Sequence, residues 1–250
     1  MSAVEKLKNT YSFTEDHASP SNDRCLANKV VIAIDGSTAS GKGTLGKMLA
    51  DRLNYAYLDT GALYRVVALT TLMLKGDPSN IEDVSPALKI ATKNITPELL
   101  SSPEIRKEEV SNAASKVAVL PEVRAALLDY QREFAKNPPG DVGGAVLDGR
   151  DIGTVVCPEA DMKFFVNADV EVRASRRFKD MQKIYPDITE NQVLSDLKAR
   201  DKRDSTRKNS PAKPANDAMI MDMTIKTPEE GVSFMISSIK DKMLSEVDAA

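Results

Sequence analysis

The sequence has little of the material on which many enzymes and binding proteins depend. Its 250 residues include one histidine, two cysteines and no tryptophan. The lone His17 excludes histidine-based triads and His-rich metal sites, and Cys25 and Cys157 are too few for a zinc ribbon or a disulfide scaffold. No apolar run reaches the roughly 18 residues that a membrane helix needs, and residues 1–28 lack the pattern of a signal peptide. We therefore expect a cytoplasmic protein with no membrane partner.

Neither sign of charge is in excess. Lys and Arg number 34, Asp and Glu number 37, and the net charge is −3. This balance argues against nucleic-acid binding through bulk positive charge, and aromatic residues, at 5% of the chain, offer no stacking platform. With 42% hydrophobic and 28% charged residues, the chain has the composition of an ordinary globular protein. We expect no nucleic-acid partner and a monomer.

Short apolar segments alternate with helical patterns after residue 28. The predicted strands are Val30–Asp35, Tyr55–Leu58, Ala145–Leu147, Met162–Val166 and Met219–Asp222. The predicted helices are Thr44–Leu53, Ala62–Lys75, Glu104–Val119, Glu122–Lys136, Val170–Ile184, Asn191–Lys202 and Pro228–Leu244, with short helices and loops over 76–103. Such alternation is typical of α/β architecture with a parallel sheet. Residues 1–28 are polar and predict a flexible extension, with a docked helix over Val4–Leu7 as the alternative.

A phosphate-binding pattern, G-x-x-x-x-G-K, follows the first predicted strand. The loop consists of Gly36, Ser37, Thr38, Ala39, Ser40, Gly41, Lys42, Gly43 and Thr44. Glycines let backbone N–H groups turn toward phosphate oxygens, and the helix that follows adds a partial positive charge. Lys42 is placed to follow the β- and γ-phosphates, and Thr44 offers a hydroxyl to a metal ion, although Gly43 stands where the general pattern has Ser or Thr. The alternative is a strand–helix turn with no ligand.

Polar groups also follow two other predicted strands. Arg65 comes shortly after the second strand, and Asp148, Arg150 and Asp151 follow the third. Ligands bind at the carboxyl ends of such strands. Asp148 is suited to hold Mg²⁺, directly or through water, Arg150 to make a bidentate phosphate contact, and Asp151 to accept from an amino group. The alternatives are a capped helix start with a solvated arginine and a simple Asp-Gly turn.

Basic residues crowd two predicted helices late in the chain and the residues that directly follow the second. They are Arg173, Arg176, Arg177, Lys198, Arg200, Lys202, Arg203, Arg207 and Lys208. One interpretation is a solvated charged face. The other is a mobile lid whose arginines close on ATP and stabilise the transferring phosphoryl group, which the phosphate loop favours.

Taken together, the motifs resemble those of the bacterial cytidylate kinases. The similar stretches are Asp35–Thr44, Leu58–Arg65, Asn112–Ala118, Leu147–Thr154 and Arg200–Arg207, and the resemblance spans Lys29 to Leu244. It implies a P-loop NTPase three-layer α/β sandwich with a five-stranded parallel sheet. Within a kinase domain of residues 29–250 it also implies a monophosphate-binding insert at about 60–137 and a helical lid at about 173–213.

The resemblance implies a reaction and a role for each matching residue. The reaction is ATP-dependent phosphorylation of CMP and dCMP to CDP and dCDP, with ATP as co-substrate and Mg²⁺ as cofactor. The implied catalytic residues are Lys42, Arg150 and Arg207, and the implied magnesium ligands are Thr44 and Asp148. Arg65, Arg150 and Arg207 would bind the CMP phosphate, Ser115, Arg124 and Asp151 the cytosine, and Thr60, Arg200 and Asp204 the sugar. Arg173, Arg176 and Arg177 would bind ATP from the lid.

The sequence departs from the family pattern at two places. Thr60 stands where the family often has Ser, and the stretch from Ile95 to Arg106 is too short and proline-rich for the small β-sheet that the insert often contains. Two other functions remain open: a kinase for another monophosphate such as UMP or AMP, and a non-catalytic ATP-binding switch. The absence of an Asn-Lys-x-Asp motif argues against a GTPase switch.

Overall fold

The computed structural model describes residues 29–248. The predicted flexible extension, residues 1–28, lies outside the described residues. The described chain divides into two compact units, which we call the sheet unit (residues 30–58 with 132–248) and the helical unit (residue 29 with 59–131). In the part of the chain that is described, no helix combines the length and the apolar character needed to cross a membrane.

Nine α-helices and five strands make up the described chain. The strands are β1 (Val30–Gly36), β2 (Ala56–Asp59), β3 (Gly144–Gly149), β4 (Met162–Asn167) and β5 (Met219–Asp222). The helices are α1 (Lys42–Leu53), α2 (Thr60–Met73), α3 (Ile81–Lys93), α4 (Pro97–Ser101), α5 (Glu108–Val117), α6 (Pro121–Lys136), α7 (Val170–Gln182), α8 (Glu190–Thr206) and α9 (Pro228–Asp248).

The strands form one parallel sheet in the order β2-β3-β1-β4-β5. Strand β1 lies in the middle, and its residues Ile32 to Ile34 are fully buried because neighbouring strands and helices cover both faces. Helices α1 and α9 pack their apolar residues, among them Leu49 and Met235, against the sheet. The predicted fold class, a P-loop α/β sandwich with a five-stranded parallel sheet, is confirmed.

Helices α7 and α8 form a small core of their own in the sheet unit. Ala174, Val193 and Leu197 are its buried members, and Ala39 of the phosphate loop packs against them. Helix α8 continues to Thr206, four residues beyond the predicted end. The hydroxyls of Ser205 and Thr206 bond back to the carbonyl of Lys202, and this keeps the last turn closed.

The helical unit buries a separate apolar core, with Leu63, Val67 and Val110 at its centre. The predicted helix Glu104–Val119 is interrupted: Pro103–Arg106 is a 3₁₀ turn, and α5 begins at Glu108. The stretch predicted as short helices contains the 13-residue α3, whose start is capped by the Asn80 side chain. As predicted, Ile95–Arg106 carries no inserted sheet, being occupied by α4 and the 3₁₀ turn.

Gly36 ends β1 and pairs with Val166 of β4. A Cβ at this position would lie 1.9 Å from the carbonyl oxygen of Val166, so Gly36→Ala must push the two strands apart. We expect urea denaturation to show a loss of more than about 3 kcal/mol in the free energy of unfolding. The control is Gly41→Ala, where φ is +92° but no atom of the described residues lies within 4 Å of the added Cβ. It should lose only the ~1–2 kcal/mol of a left-handed backbone. Equal losses in the two variants would contradict the steric argument.

Candidate active site

The phosphate loop joins the end of β1 to the start of α1. Ala39 and Gly41 adopt left-handed backbone conformations, with φ of 58° and 92°, and these reverse the chain between strand and helix. Gly41 is the N-cap of α1 and makes no side-chain cap, and the first turn of α1 contains no acidic residue. The N–H groups of that turn and the Lys42 side chain together form a site suited to an anion.

The Asp148 carboxylate lies against the first turn of α1. Its Oδ2 accepts a 2.6 Å hydrogen bond from the Tyr57 hydroxyl, and a Cβ at Gly43 would lie 3.1 Å from the same oxygen. This proximity explains why glycine separates Lys42 from Thr44, since any larger residue would press on Asp148. A carboxylate oxygen beside the turn that carries the Thr44 hydroxyl is the hard-oxygen chemistry that Mg²⁺ prefers. No sequence pattern singled out Tyr57, which resembled any aromatic residue of a strand.

Arg150 is held at three points. Its Nε donates to Asp204 Oδ2 at 3.0 Å, its Nη1 to the Gly149 carbonyl at 3.0 Å, and its Nη2 to Thr38 Oγ1 at 2.9 Å. A guanidinium has five N–H groups, so one on each terminal nitrogen is left without an acceptor among the described residues. Two such donors on one planar group match a phosphate.

Asp204 is buried, with 5% of its surface exposed. Burial raises the pKa of its carboxyl, but the guanidinium groups of Arg150, Arg200 and Arg207 lower it by more, so that the pKa is below its usual value. The ionised Asp204, a residue of α8, therefore anchors the guanidinium of Arg150.

Asp151 and Arg207 form a second buried ion pair next to Arg150. Arg207 Nη2 lies 3.7 Å from Asp151 Oδ1, and Arg207 Nε donates to the Ser210 carbonyl at 2.6 Å. Asp151 also starts a π-helical turn, its carbonyl accepting from the N–H groups of Val155 and Val156. The sheet unit thus brings together the phosphate loop, Asp148, Arg150, Asp151, Asp204 and Arg207, all of which the sequence had singled out.

Arg173 contacts the phosphate loop itself. Its Nη1 donates to the Thr38 carbonyl at 2.9 Å and to Asp201 Oδ2 at 2.6 Å, and Asp201 Oδ1 accepts from the Thr38 N–H at 3.2 Å. Only 5% of Arg173 is exposed, so the alternative of a solvated face does not describe this residue. A pocket of ≈ 200 Å³ lies beside this contact, with Ser37, Arg150 and Asp204 in its wall.

The other predicted lid arginines are placed on the same helix pair. Arg176 Nη2 donates to the carbonyls of Met223 and Thr224 after β5. Arg177 lies on α7 and Arg200 on α8. Their proposed contacts with nucleotide stay predictions.

Four predicted site residues belong to the helical unit. Arg65 donates to Asp59 Oδ2 at 3.4 Å, and Arg106, which the sequence did not single out, donates to the same oxygen at 2.7 Å. Thr60 is the buried first residue of α2, following Asp59, which caps the helix.

The remaining two lie on α5 and α6. The Ser115 hydroxyl donates to the Asn112 carbonyl at 3.1 Å. Arg124 lies over the Tyr64 ring, 5.6 Å from its centroid, and donates to the Ala118 carbonyl at 3.4 Å. Packing within the helical unit thus places the Arg124 guanidinium over the face of the Tyr64 ring, and this cation–π contact orients the guanidinium.

Asp35 is a buried carboxylate that the sequence interpreted only as a strand end. Its two oxygens accept from the N–H groups of Ile152 and Gly153, each at 2.8 Å. Burial raises its pKa to about 7 and the two backbone hydrogen bonds offset only part of that effect. An acidic residue that ends a wholly apolar strand is the signal that would have found it.

Comparison with known proteins gives one consistent family. Residues 32–241 match the family model described as cytidylate kinase. A cytidylate kinase of Rhodospirillum rubrum is 46% identical over 213 residues, which cover 85% of this chain and 98% of that protein. A cytidylate kinase of Paramagnetospirillum magneticum is 46% identical over 212 residues, with the same coverage of 85% and 98%.

A solved structure agrees with the fold. The crystal structure of an uncharacterized protein from Eubacterium ventriosum aligns with a TM-score of 0.50 at 13% identity, covering 85% of this chain and 99% of that one. At that identity the likeness concerns the fold alone.

The raised pKa of Asp35 predicts a pH-dependent stability. The native state keeps the Asp35 proton up to about pH 7, whereas the ordinary pKa is 3.8, so stability from this group is complete below pH 3.8 and is lost as the pH rises toward 7. Asp35→Asn cannot titrate. Relative to that variant, the wild-type free energy of unfolding should fall by up to about 1.4 kcal/mol per pH unit within this window.

Urea denaturation between pH 5 and pH 8 measures the difference. The carboxyl ¹³C shift of Asp35 in the wild-type protein provides a second reading, and it should titrate near pH 7. A difference between the two proteins that does not vary with pH would show that Asp35 is ionised throughout.

Proposed function

The chain belongs to the cytidylate kinase family, and on this premise we propose that it transfers the γ-phosphoryl group of ATP to CMP and dCMP, forming CDP and dCDP. One observation carries the proposal at the level of the site. The phosphate loop leads into the anion-binding start of α1, and Thr38 of this loop bonds the anchored guanidinium of Arg150, which has two further N–H groups to offer. A phosphoryl donor and a phosphate acceptor need such a pair of sites.

The proposed mechanism uses charge and position. The loop N–H groups and Lys42 bind the phosphates of ATP, and Arg150 and Arg207 bind the acceptor phosphate. No general base is needed because the acceptor oxygen is already anionic. Transfer is accelerated by alignment of the two phosphates and by neutralisation of their charge.

Magnesium fits the residues beside Lys42. We propose Thr44 and Asp148 as the groups that hold it, directly or through water, with Tyr57 keeping the Asp148 carboxylate in place. Mg²⁺ is usually bound by one or two protein groups together with nucleotide phosphates and water, and it supplies positive charge to the transferring group.

In this proposal, further residues recognise the acceptor nucleotide. Arg65 joins the phosphate-binding arginines, and Thr60, Arg200 and Asp204 contact the sugar. Ser115, Arg124 and Asp151 read the base. Arg173, Arg176 and Arg177 act on the ATP side, where the bond from Arg173 to the Thr38 carbonyl supports the proposal. We further propose a monomeric cytoplasmic enzyme that acts on free nucleotides. A panel of monophosphates assayed for ADP release tests CMP and dCMP against UMP and AMP.

Lys42→Ala should lower kcat about 10²–10³-fold, because removal of one preorganised charge-stabilising group has an effect of this size. The control is Arg52→Ala, which removes an exposed cation from the last turn of the same helix and should leave kcat near the wild-type value. Circular dichroism confirms that both variants fold. Normal turnover in Lys42→Ala would remove the loop lysine from the mechanism.

Base recognition predicts a preference for CMP over UMP of roughly 10²–10⁴ in kcat/KM. Cytosine presents an amino group to the carboxyl oxygens of Asp151 and acceptors to Arg124 and Ser115. Uracil presents a carbonyl and an N–H at these places and leaves charged groups unpaired. Arg124→Met and Asp151→Ala should therefore each narrow the CMP/UMP ratio.

Steady-state kinetics on both substrates measures this ratio. Lys116→Met is the control, since it removes an exposed cation adjacent to Ser115 in the sequence and should leave the ratio unchanged. A variant at Arg124 or Asp151 that kept the wild-type ratio would show that its residue does not read the base.

A further inference from the structure

Thr38 is the residue of the phosphate loop whose polar groups are all bound to other segments of the sheet unit. Its N–H donates to Asp201, its carbonyl accepts from Arg173, and its hydroxyl accepts from Arg150 Nη2 at 2.9 Å. Thr38 is 4% exposed, so these bonds form away from solvent. The loop that binds the donor nucleotide is thus attached directly to the arginine proposed for the acceptor.

The hydroxyl of Thr38 determines which N–H groups Arg150 can offer. Asp204 holds the guanidinium at Nε, and Gly149 holds it at Nη1. These two bonds leave Nη2 as the remaining nitrogen of the planar group, and the hydroxyl of Thr38 takes one of its two hydrogens. The bond completes a three-point attachment and leaves one donor on each terminal nitrogen.

The Thr38 hydroxyl also affects fewer groups than the other two anchors. Asp204 lies among three arginines, so its replacement would disturb Arg200 and Arg207 as well. The Gly149 carbonyl belongs to the backbone of β3 and cannot be substituted. The Thr38 hydroxyl accepts from Arg150 alone among the described residues, while the backbone of Thr38 makes the bonds to α7 and α8.

We propose that Thr38 is a positioning residue for the acceptor: its hydroxyl orients Arg150 so that the two remaining N–H groups face the acceptor phosphate. The proposal rests on the proposed function of Arg150. A preorganised guanidinium loses less freedom when phosphate binds, so the hydroxyl improves use of CMP without contacting it. It also makes the acceptor arginine depend on the geometry of the donor loop.

The test compares Thr38→Val with Thr38→Ser. Valine keeps the size and both backbone bonds but removes the acceptor, whereas serine keeps the acceptor. We expect Thr38→Val to lower kcat/KM for CMP about 10–100-fold, the usual effect of losing a hydrogen bond to a charged group. KM for ATP and the affinity for a non-hydrolysable ATP analogue, measured by calorimetry, should change little. Thr38→Ser should stay near wild type.

A double-mutant cycle separates positioning from a general effect on the loop. In an Arg150→Met background, Thr38→Val should cause almost no further loss, because the hydroxyl acts through that arginine. Additive losses, an equal loss of ATP affinity, or wild-type kinetics in Thr38→Val would each overturn the proposal. Thr38→Ala removes the same hydroxyl with a smaller side chain and replaces Thr38→Val if the valine variant does not fold.

The outcomes also distinguish this proposal from the proposed function. Failure of the wild-type protein to phosphorylate CMP would refute the function itself. Wild-type use of CMP by Arg150→Met would refute the role of that arginine, and with it the positioning role of Thr38. Loss of CMP use in Arg150→Met together with normal kinetics in Thr38→Val would refute the positioning role alone.

Discussion

The parallel pairing of β1 with β3 is the constraint on which the site depends. Its register sets Asp35 opposite Gly149, so the phosphate loop and the Arg150–Asp151 segment leave the sheet side by side. Asp35 then bonds the N–H groups of Ile152 and Gly153 and holds the second segment against the first. A shift of the register would separate the phosphate loop from Arg150 even if every residue of both motifs were kept.

The segments that this pairing brings together contain three ion pairs that are wholly or partly buried. Asp204 and Arg150 pair at 3.0 Å, Asp151 and Arg207 lie 3.7 Å apart, and Arg173 bonds Asp201 at 2.6 Å. Removing ions from water is costly, and apolar residues of similar volume would often stabilise a fold equally well or better. Because these ion pairs lie beside the phosphate loop, we interpret the network as serving the proposed anion binding more than stability. The raised pKa of Asp35 is consistent with this interpretation. Burial of its carboxyl lowers stability, but the carboxyl holds the Ile152–Gly153 backbone in place.

Helices α7 and α8 show how one charge pattern can serve two purposes. The sequence predicted a basic lid, and Arg176 and Arg177 remain candidates for contact with ATP. In the structure Arg173 points into the loop, and Asp201, an acidic residue within the basic run, accepts from the loop backbone. A sequence pattern reports the number and sign of charges along a helix, but it does not report which of them fold inward.

The sequence by itself determined the strands, the phosphate loop and the family, because hydrophobic periodicity and the G-x-x-x-x-G-K motif are local properties. It also located Asp148, Arg150, Asp151 and Arg207 near strand ends or helix ends. The partners of these residues were decided only by the tertiary structure. Three hydrogen bonds join residues about 90 to 120 positions apart: Tyr57 with Asp148, Thr38 with Arg150, and Asp35 with Ile152. No local pattern encodes such contacts, because they depend on strand order, register and the packing of helices against the sheet.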